Sequence, residues 1–206
     1  GLITFMGIAD EAAEYLRGQG IKVLDPIYYH NQRGSNELEQ VKVLVMLGSP
    51  YPSPEGFYEE AQAILSPGGL VAQWIPFYGQ SLRDTRAMVR SAVEVFPQAS
   101  LWLDDHDGIL LLQTEPFALQ PNQLSIRIRA RGVRTELARN NVGDLVDLLS
   151  LFLIGPEGVR RWSEGVPLLS DDHPFLEFSA ARHLGTPVYH DIIGSLIPVL
   201  DDPMAY

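Results

Sequence analysis

The chain has 206 residues, 46% of them hydrophobic and 20% charged, so it can bury a core and is not expected to be globally disordered. Its net charge of −11 argues against a broad surface that binds nucleic acid or anionic membranes. The lack of cysteine excludes disulfides and thiolate chemistry. No apolar run reaches the roughly 18 residues that span a bilayer, and no signal peptide is visible, so we expect a cytoplasmic location. The acidity would suit a cationic substrate, although acidity more often serves solubility alone.

The first part of the chain alternates strand patterns with helix patterns. Asp10 is predicted to cap the first helix, and Ser53 to cap a later helix that has Pro54 at its first position. Three apolar runs predict strands: Leu2–Met6, Ile21–Leu24 and Val41–Leu47.

The stretch from Ser66 to Gln113 has the most regular pattern. The turn Pro67-Gly68-Gly69 precedes a predicted strand, Leu70–Ile75, and the helix pattern after it ends at Phe96-Pro97. A hairpin is predicted next, with strands Ser100–Leu103 and Gly108–Leu112. Alternation of this kind is typical of an α/β fold with a mostly parallel sheet whose last strand turns back antiparallel. We therefore predict an α/β domain over residues 1–117.

The remainder, residues 118–206, is predicted to be a mainly helical extension. Val142–Ile154 reads as one apolar helix ended by Gly155-Pro156, with a short helix near Glu157–Trp162 and a closing helix within Pro187–Leu200. Between residues 121 and 139 the sequence predicts a basic helical patch, most simply a solvated helix face, with five arginines: Arg127, Arg129, Arg131, Arg134 and Arg139.

Two groups of polar residues follow predicted strands, where the ligands of such sheets bind. Ser49 and Tyr51 lie in the loop after the third strand and can form hydrogen bonds, or simply build a tight turn. Gln73 and Trp74 should point to opposite faces of their strand, with Tyr78 just beyond its end. Gln73 would contact a ligand or form a structural hydrogen bond, whereas Trp74 is expected in the core.

A third candidate is Ser170-Asp171-Asp172-His173. Asp171 and Asp172 could hold a cation or a metal, or form a helix cap or turn, and because neighbouring side chains usually diverge we expect no metal site. The sequence contains no Gly-x-Ser-x-Gly, Gly-x-Gly-x-x-Gly or P-loop motif.

The segment from Ser53 to Arg182 resembles the spermidine-synthase-like family, in particular the soluble part of bacterial proteins that fuse this domain to a membrane portion. The resemblance rests on ordered motifs: FYEEAQAILSPGGLVAQWIPFYG (57–79), VFPQASLW (95–102), GILLLQTEPF (108–117), GDLVDLLSLFLIGPEGV (143–159) and SDDHPFLEFSAAR (170–182). It implies a Rossmann-like fold of the class I methyltransferase type. It also implies S-adenosylmethionine or its decarboxylated form as a substrate, and aminopropyl transfer to a polyamine.

The sequence departs from that family where the chemistry takes place. The family's catalytic aspartate lies in a D-x-x-D-P-like loop, and the corresponding loop here has Gly48 and Ser49 with no aspartate. The Gly-rich loop after the first strand and the acidic residue after the second are also missing. A degenerate, non-catalytic relative is therefore the alternative to an active transferase, and a missing N-terminal or membrane portion would explain the difference.

Residues 1–52 resemble the C-terminal lobe of superfamily 2 DNA helicases, in which an R-G-x-N stretch precedes a strand ending in G-[ST]-P. The matching residues are Arg33-Gly34-Ser35-Asn36 and Gly48-Ser49-Pro50, so the two resemblances join near Pro52. No Walker A motif or DEAD-type box is present. A non-catalytic interaction module, or a helicase-lobe remnant that binds DNA, is the second functional hypothesis, and the acidic net charge counts against it.

Overall fold

A computed structural model of the chain describes residues 2–4, 8–18, 20, 22–23, 41–47, 54–169 and 188–206. These residues form a mixed α/β structure. The strands are β1 (Leu2–Thr4), β2 (Val41–Leu47), β3 (Leu65–Pro76), β4 (Gln98–Asp104), β5 (Asp107–Gln113) and β6 (Phe152–Ile154). The helices are α1 (Ile8–Gly18), α2 (Pro54–Ile64), α3 (Leu82–Val95), α4 (Pro121–Ile128), α5 (Arg131–Arg139), α6 (Leu145–Ser150), α7 (Pro156–Ser163) and α8 (Tyr189–Leu196), followed by 3₁₀ turns at Ile197–Val199 and Pro203–Ala205.

The described strands form one sheet in the order β1-β2-β3-β5-β4-β6. β1, β2 and β3 pair in parallel, whereas β3–β5, β4–β5 and β4–β6 pair antiparallel. The antiparallel side arises because the predicted hairpin closes through the two residues Asp105 and His106, a connection that parallel strands cannot make. Asp105 adopts a left-handed backbone with φ of 54°, which aspartate tolerates better than most residues.

The predicted turn at Pro67–Gly69 lies inside the irregular start of β3. Val41 pairs with Leu65 but Val43 pairs with Leu70, so the residues between them leave the regular register. Gly68 has a φ of +70°, which glycine adopts without a steric penalty. The prediction of a turn before the strand is therefore wrong: Pro67-Gly68-Gly69 form an irregularity within β3, which begins earlier than the apolar pattern indicates.

One face of the sheet forms the core together with α2, α3 and α7. Paired residues place their side chains on the same face, and one fully buried row crosses the sheet through Met46, Gln73, Leu110, Leu101 and Ile154. Gln73 is the polar member of this otherwise apolar row.

Helix α3 begins and ends as its sequence predicts, and it also holds the C-terminal part of the chain. Ser81 and Asp84 form a capping box at its start, and Phe96 caps its end. Arg86 donates hydrogen bonds to the backbone carbonyls of Trp162, through Nε at 2.6 Å, and of Glu164, through a terminal nitrogen at 2.7 Å. These bonds connect residues 76 to 78 positions apart and tie the end of α7 to the core.

The prediction of a single helix over Val142–Ile154 is wrong. Helix α6 ends at Ser150, and Phe152–Ile154 form the edge strand β6 beside β4. This arrangement gives the open edge of β4 a hydrogen-bonding partner and buries Phe152 and Ile154, which a continuous exposed helix would not do.

The last residue, Tyr206, packs against this edge. Its ring lies 5.9 Å from that of Phe152 and packs directly on Gly155, where a larger residue would force the ring to shift. Tyr206 donates a hydrogen bond of 3.0 Å to Asp201, which also accepts the backbone N–H of Gly155 at 2.9 Å. Burial, followed by the bond to Asp201, raises the pKa of Tyr206 to about 12.

Two predictions near the N-terminus have different outcomes. Asp10 is not the N-cap of α1, because the helix already includes Ile8 and Ala9, and alanine favours helical backbone angles. Helix α2 begins at Pro54 as predicted. Of the predicted strand Ile21–Leu24 only residues 22 and 23 are described, and they are not in a strand, while Ser53 lies outside the described residues.

Within the described part of the chain, no helix has both the length and the apolar character needed to cross a membrane.

Candidate functional site

Gln73 and Trp74 point to opposite faces of β3, as the alternation of strand side chains predicts. Gln73 is fully buried on the core face, and its side-chain oxygen accepts a hydrogen bond of 2.5 Å from the Tyr58 hydroxyl of α2. The amide nitrogen Nε2 has no hydrogen-bond partner among the described residues. The structural hydrogen bond expected for Gln73 is thus present, and half of its amide remains unsatisfied.

The opposite face carries a second group at the end of β3, which we call the β3–β5 corner: Trp74, Tyr78 and Asp107. The register pairs Trp74 with Ile109 and Pro76 with Asp107, so Trp74 and Asp107 share this face. The rings of Trp74 and Tyr78 meet edge to face with centroids 6.3 Å apart. Trp74 is only half-buried, so the expectation that it lies in the core is wrong; the described helices that form the core pack on the other face.

Tyr78 and Asp107 interact electrostatically. Tyr78 is 53% exposed, yet desolvation of its hydroxyl and, secondarily, the carboxylate of Asp107 raise its pKa. Both effects favour the protonated phenol. Tyr78 therefore remains neutral around neutral pH and offers a hydroxyl beside a carboxylate.

Asp107 is the unusual residue of this corner. Its Oδ1 atom is inaccessible to solvent and has no hydrogen-bond partner among the described residues. A buried carboxylate oxygen without a donor is costly. Oδ1 itself is closed to a ligand, but the Asp107 side chain as a whole is only half-buried, so a positive charge beside its open part would be stabilised. The neighbouring Asp105 differs, since it is exposed and lies 2.9 Å from the imidazole of His106.

Asp107 is not among the residues that the sequence pattern singles out, because the acidic stretch Asp104–Gly108 reads simply as a turn. No local pattern could have singled it out, because Asp107 falls on the same face as Trp74 only through the register between β3 and β5. Of the predicted site residues, the structure brings Tyr78 into the β3–β5 corner and places Gln73 on the other face. Gly48, Ser49, Tyr51, Asp171 and Asp172 lie outside the described residues.

Among the residues that the structure does describe, no group of three histidine, aspartate or glutamate side chains is placed to hold a metal ion. The arginines of the predicted basic patch whose side chains are described are exposed on α4 and α5. Two of them line a separate cavity, described below. The helicase-like residues Arg33–Asn36 lie outside the described ranges.

No protein-family model matches the chain, and no curated protein sequence matches it. The functional assignment therefore depends on the geometry of the described residues and on the motifs of the sequence.

Proposed function

We propose that the chain is a spermidine-synthase-like protein with a Rossmann-like sheet, and that it binds a polyamine at the β3–β5 corner without transferring an aminopropyl group. The observation that carries this proposal is the half-buried carboxylate of Asp107, whose Oδ1 has no hydrogen-bond partner among the described residues, beside the aromatic rings of Trp74 and Tyr78. An ammonium ligand suits this carboxylate and these rings because it has a positive charge, N–H donors and an affinity for aromatic faces.

The topology supports the family assignment. Three adjacent parallel strands, β1 to β3, are followed by a helix and a hairpin whose last strand returns antiparallel beside β3. The spermidine-synthase-like motifs predict a strand that returns antiparallel in this position, and β6 extends the sheet beyond it. The corner lies just beyond the carboxyl end of β3, where ligands of such sheets bind.

The electrostatics of the corner favour a protonated amine. Asp107 stabilises positive charge directly, and the net charge of −11 attracts a polycation from a distance. A neighbouring carboxylate also raises the pKa of a bound amine, because it favours the charged form.

The sequence argues against transfer. Aminopropyl transfer requires a free amine to attack the carbon next to a sulfonium, and therefore a group that removes the proton. The family has its catalytic aspartate in the loop where this sequence has Gly48 and Ser49, so that carboxylate is missing. We therefore assign binding, and not turnover, to this chain.

Calorimetric titration with spermidine tests the binding. Asp107→Asn keeps the side-chain shape but removes the charge, and we expect it to weaken spermidine binding about tenfold, as the loss of one charge-assisted hydrogen bond would. Asp105→Asn is the matched control, because it removes the same charge two residues away, and it should change affinity less than about twofold since exposed charges contribute little. Equal effects of the two substitutions would show that only overall charge matters and would refute the corner as a site.

A product assay tests the absence of turnover. The protein is incubated with decarboxylated S-adenosylmethionine and putrescine, and spermidine is sought by mass spectrometry. We expect none above the protein-free control. Product that disappears in Gln73→Ala would establish a transferase and overturn the non-catalytic part of the proposal. Tight, salt-sensitive DNA binding would instead favour the interaction-module hypothesis.

A further inference from the structure

A cavity of about 440 Å³ lies between α4, α5 and the start of α6, away from the β3–β5 corner. Pockets of a few hundred cubic ångströms are typical for small ligands. Its lining combines two arginines, a serine and apolar side chains: Ser125, Ile128, Arg129, Arg134, Gly143, Asp144, Leu145 and Val146.

Arg129 and Arg134 differ from Arg139 and Arg160, whose guanidiniums are paired with carboxylates. Arg139 lies 2.8 Å from Glu136, and Arg160 lies 2.7 Å from Glu157. Within the described ranges, by contrast, Arg129 forms no hydrogen bond or ion pair, and neither does Arg134. Two guanidiniums that have no partner among the described residues thus line one cavity of an acidic protein.

The carboxylates near the cavity are already engaged with the backbone. Asp144 caps α6 by accepting the N–H groups of Val146 at 2.8 Å and Asp147 at 3.0 Å. Asp147 accepts the N–H of Gly143 at 2.8 Å. The N–H groups of the second and third residues of α6 are thus already bonded, and Asp144 keeps its negative charge in the lining, so an anion in the cavity would have to be held by the arginines and the Ser125 hydroxyl.

The rest of the lining is apolar. Ile128 is buried, Leu145 is half-buried and Val146 is 73% exposed. An exposed valine beside these guanidiniums is suited to a ligand that has an apolar part next to its charge. Inorganic anions alone would leave this part of the cavity unfilled.

We propose that this cavity binds a small organic anion, in which a phosphate or carboxylate contacts Arg129 and Arg134 and an apolar group of about one ring contacts Ile128, Leu145 and Val146. Guanidinium groups bind both kinds of anion through paired hydrogen bonds. The site is independent of the polyamine site, since the two share no residue and favour ligands of opposite charge.

Phenyl phosphate is the probe, and the backbone amide resonances of Ser125 and Gly143 report its binding by NMR. Arg129→Gln and Arg134→Gln should each weaken binding roughly threefold to tenfold, because each removes a charged hydrogen-bond donor at a partly open site. Arg127→Gln is the matched control: Arg127 is exposed in the last turn of α4, two residues before Arg129, but does not line the cavity. It should leave the affinity within about twofold of the wild-type value.

Two further ligands separate the contributions of charge and apolar surface. Inorganic phosphate and benzyl alcohol should each bind more weakly than phenyl phosphate. No shift of the two resonances with phenyl phosphate would overturn the proposal, as would equal weakening by Arg127→Gln. Inorganic phosphate binding as tightly as phenyl phosphate would show an adventitious anion site and also overturn it. Added salt should weaken phenyl phosphate binding.

Discussion

Replacing Tyr58 with phenylalanine should destabilise the protein through Gln73. The Tyr58 hydroxyl donates the 2.5 Å hydrogen bond to the fully buried Gln73, whose other amide atom already has no partner among the described residues. Without that donor the amide would be unsatisfied on both sides. Leaving a buried polar group unpaired costs about 1–3 kcal/mol.

The loss is measured by urea unfolding followed by circular dichroism. With a denaturant dependence of about 2 kcal/mol per molar, the unfolding midpoint should fall by about 0.5–1.5 M. Gln73→Met, which has a similar volume and suits the neighbours Met46 and Leu110, removes the amide but takes this acceptor away from the buried Tyr58 hydroxyl, so it should also lower the midpoint.

The double variant completes the cycle. Tyr58→Phe with Gln73→Met leaves an apolar contact in place of the polar pair, so its destabilisation should be smaller than the sum of the two single losses by about 1 kcal/mol or more. Simple additivity, or an unchanged midpoint for Tyr58→Phe, would refute the reasoning that these two side chains satisfy each other in the core.

Three other predictions concern glycine, arginine and tyrosine. Gly108→Ala should lower the free energy of unfolding by about 1–3 kcal/mol, because its Cβ would lie 2.6 Å from the buried Phe77 ring. Gly132→Ala in helix α5 has open space around the new methyl group and should stabilise the protein slightly. Arg86→Met should cost about 2 kcal/mol in the same assay, because it keeps the aliphatic stem but loses hydrogen bonds from a charged donor to two backbone carbonyls. The raised pKa of Tyr206 should contribute stability that is fully present below pH 10.0, the ordinary value, and is lost as pH rises towards about 12; Tyr206→Phe should remove this pH dependence.

Each of these has a contradicting result. Gly108→Ala no less stable than Gly132→Ala would show that the Phe77 ring can move aside. An Arg86→Met midpoint equal to that of the wild type would mean that the carbonyls find other donors. Identical stability–pH curves for wild type and Tyr206→Phe above pH 10.0 would mean that the phenol titrates alike in both states.

Much of the sheet could be predicted because its signals are local. β2 is a nearly continuous apolar run, α3 has Ser81 before it and Pro97 after it, and the β4–β5 hairpin has polar residues between two apolar runs. Each of these patterns lies within about a dozen residues, which is the range over which sequence periodicity is informative.

The features that were missed depend on contacts distant in sequence. β6 is a strand because β4, some fifty residues earlier, offers an open edge; residues 142–154 alone read equally well as a helix. The role of Asp107 depends on the register between β3 and β5, and the pairing of Gln73 with Tyr58 depends on how α2 packs on the sheet. Local patterns contain none of this information.

The indole N–H resonances of the protein's three tryptophans give the most direct test of polyamine binding at the β3–β5 corner. Trp102 and Trp162 donate their indole N–H groups to Ser100 and Ser195, both at 2.9 Å, and serve as internal controls. On titration with spermidine, the Trp74 resonance, assigned with Trp74→Phe, should move saturably while the other two stay fixed, and Asp107→Asn should weaken the response about tenfold. A Trp74 resonance that does not move, or equal movement of all three, would contradict the proposed site.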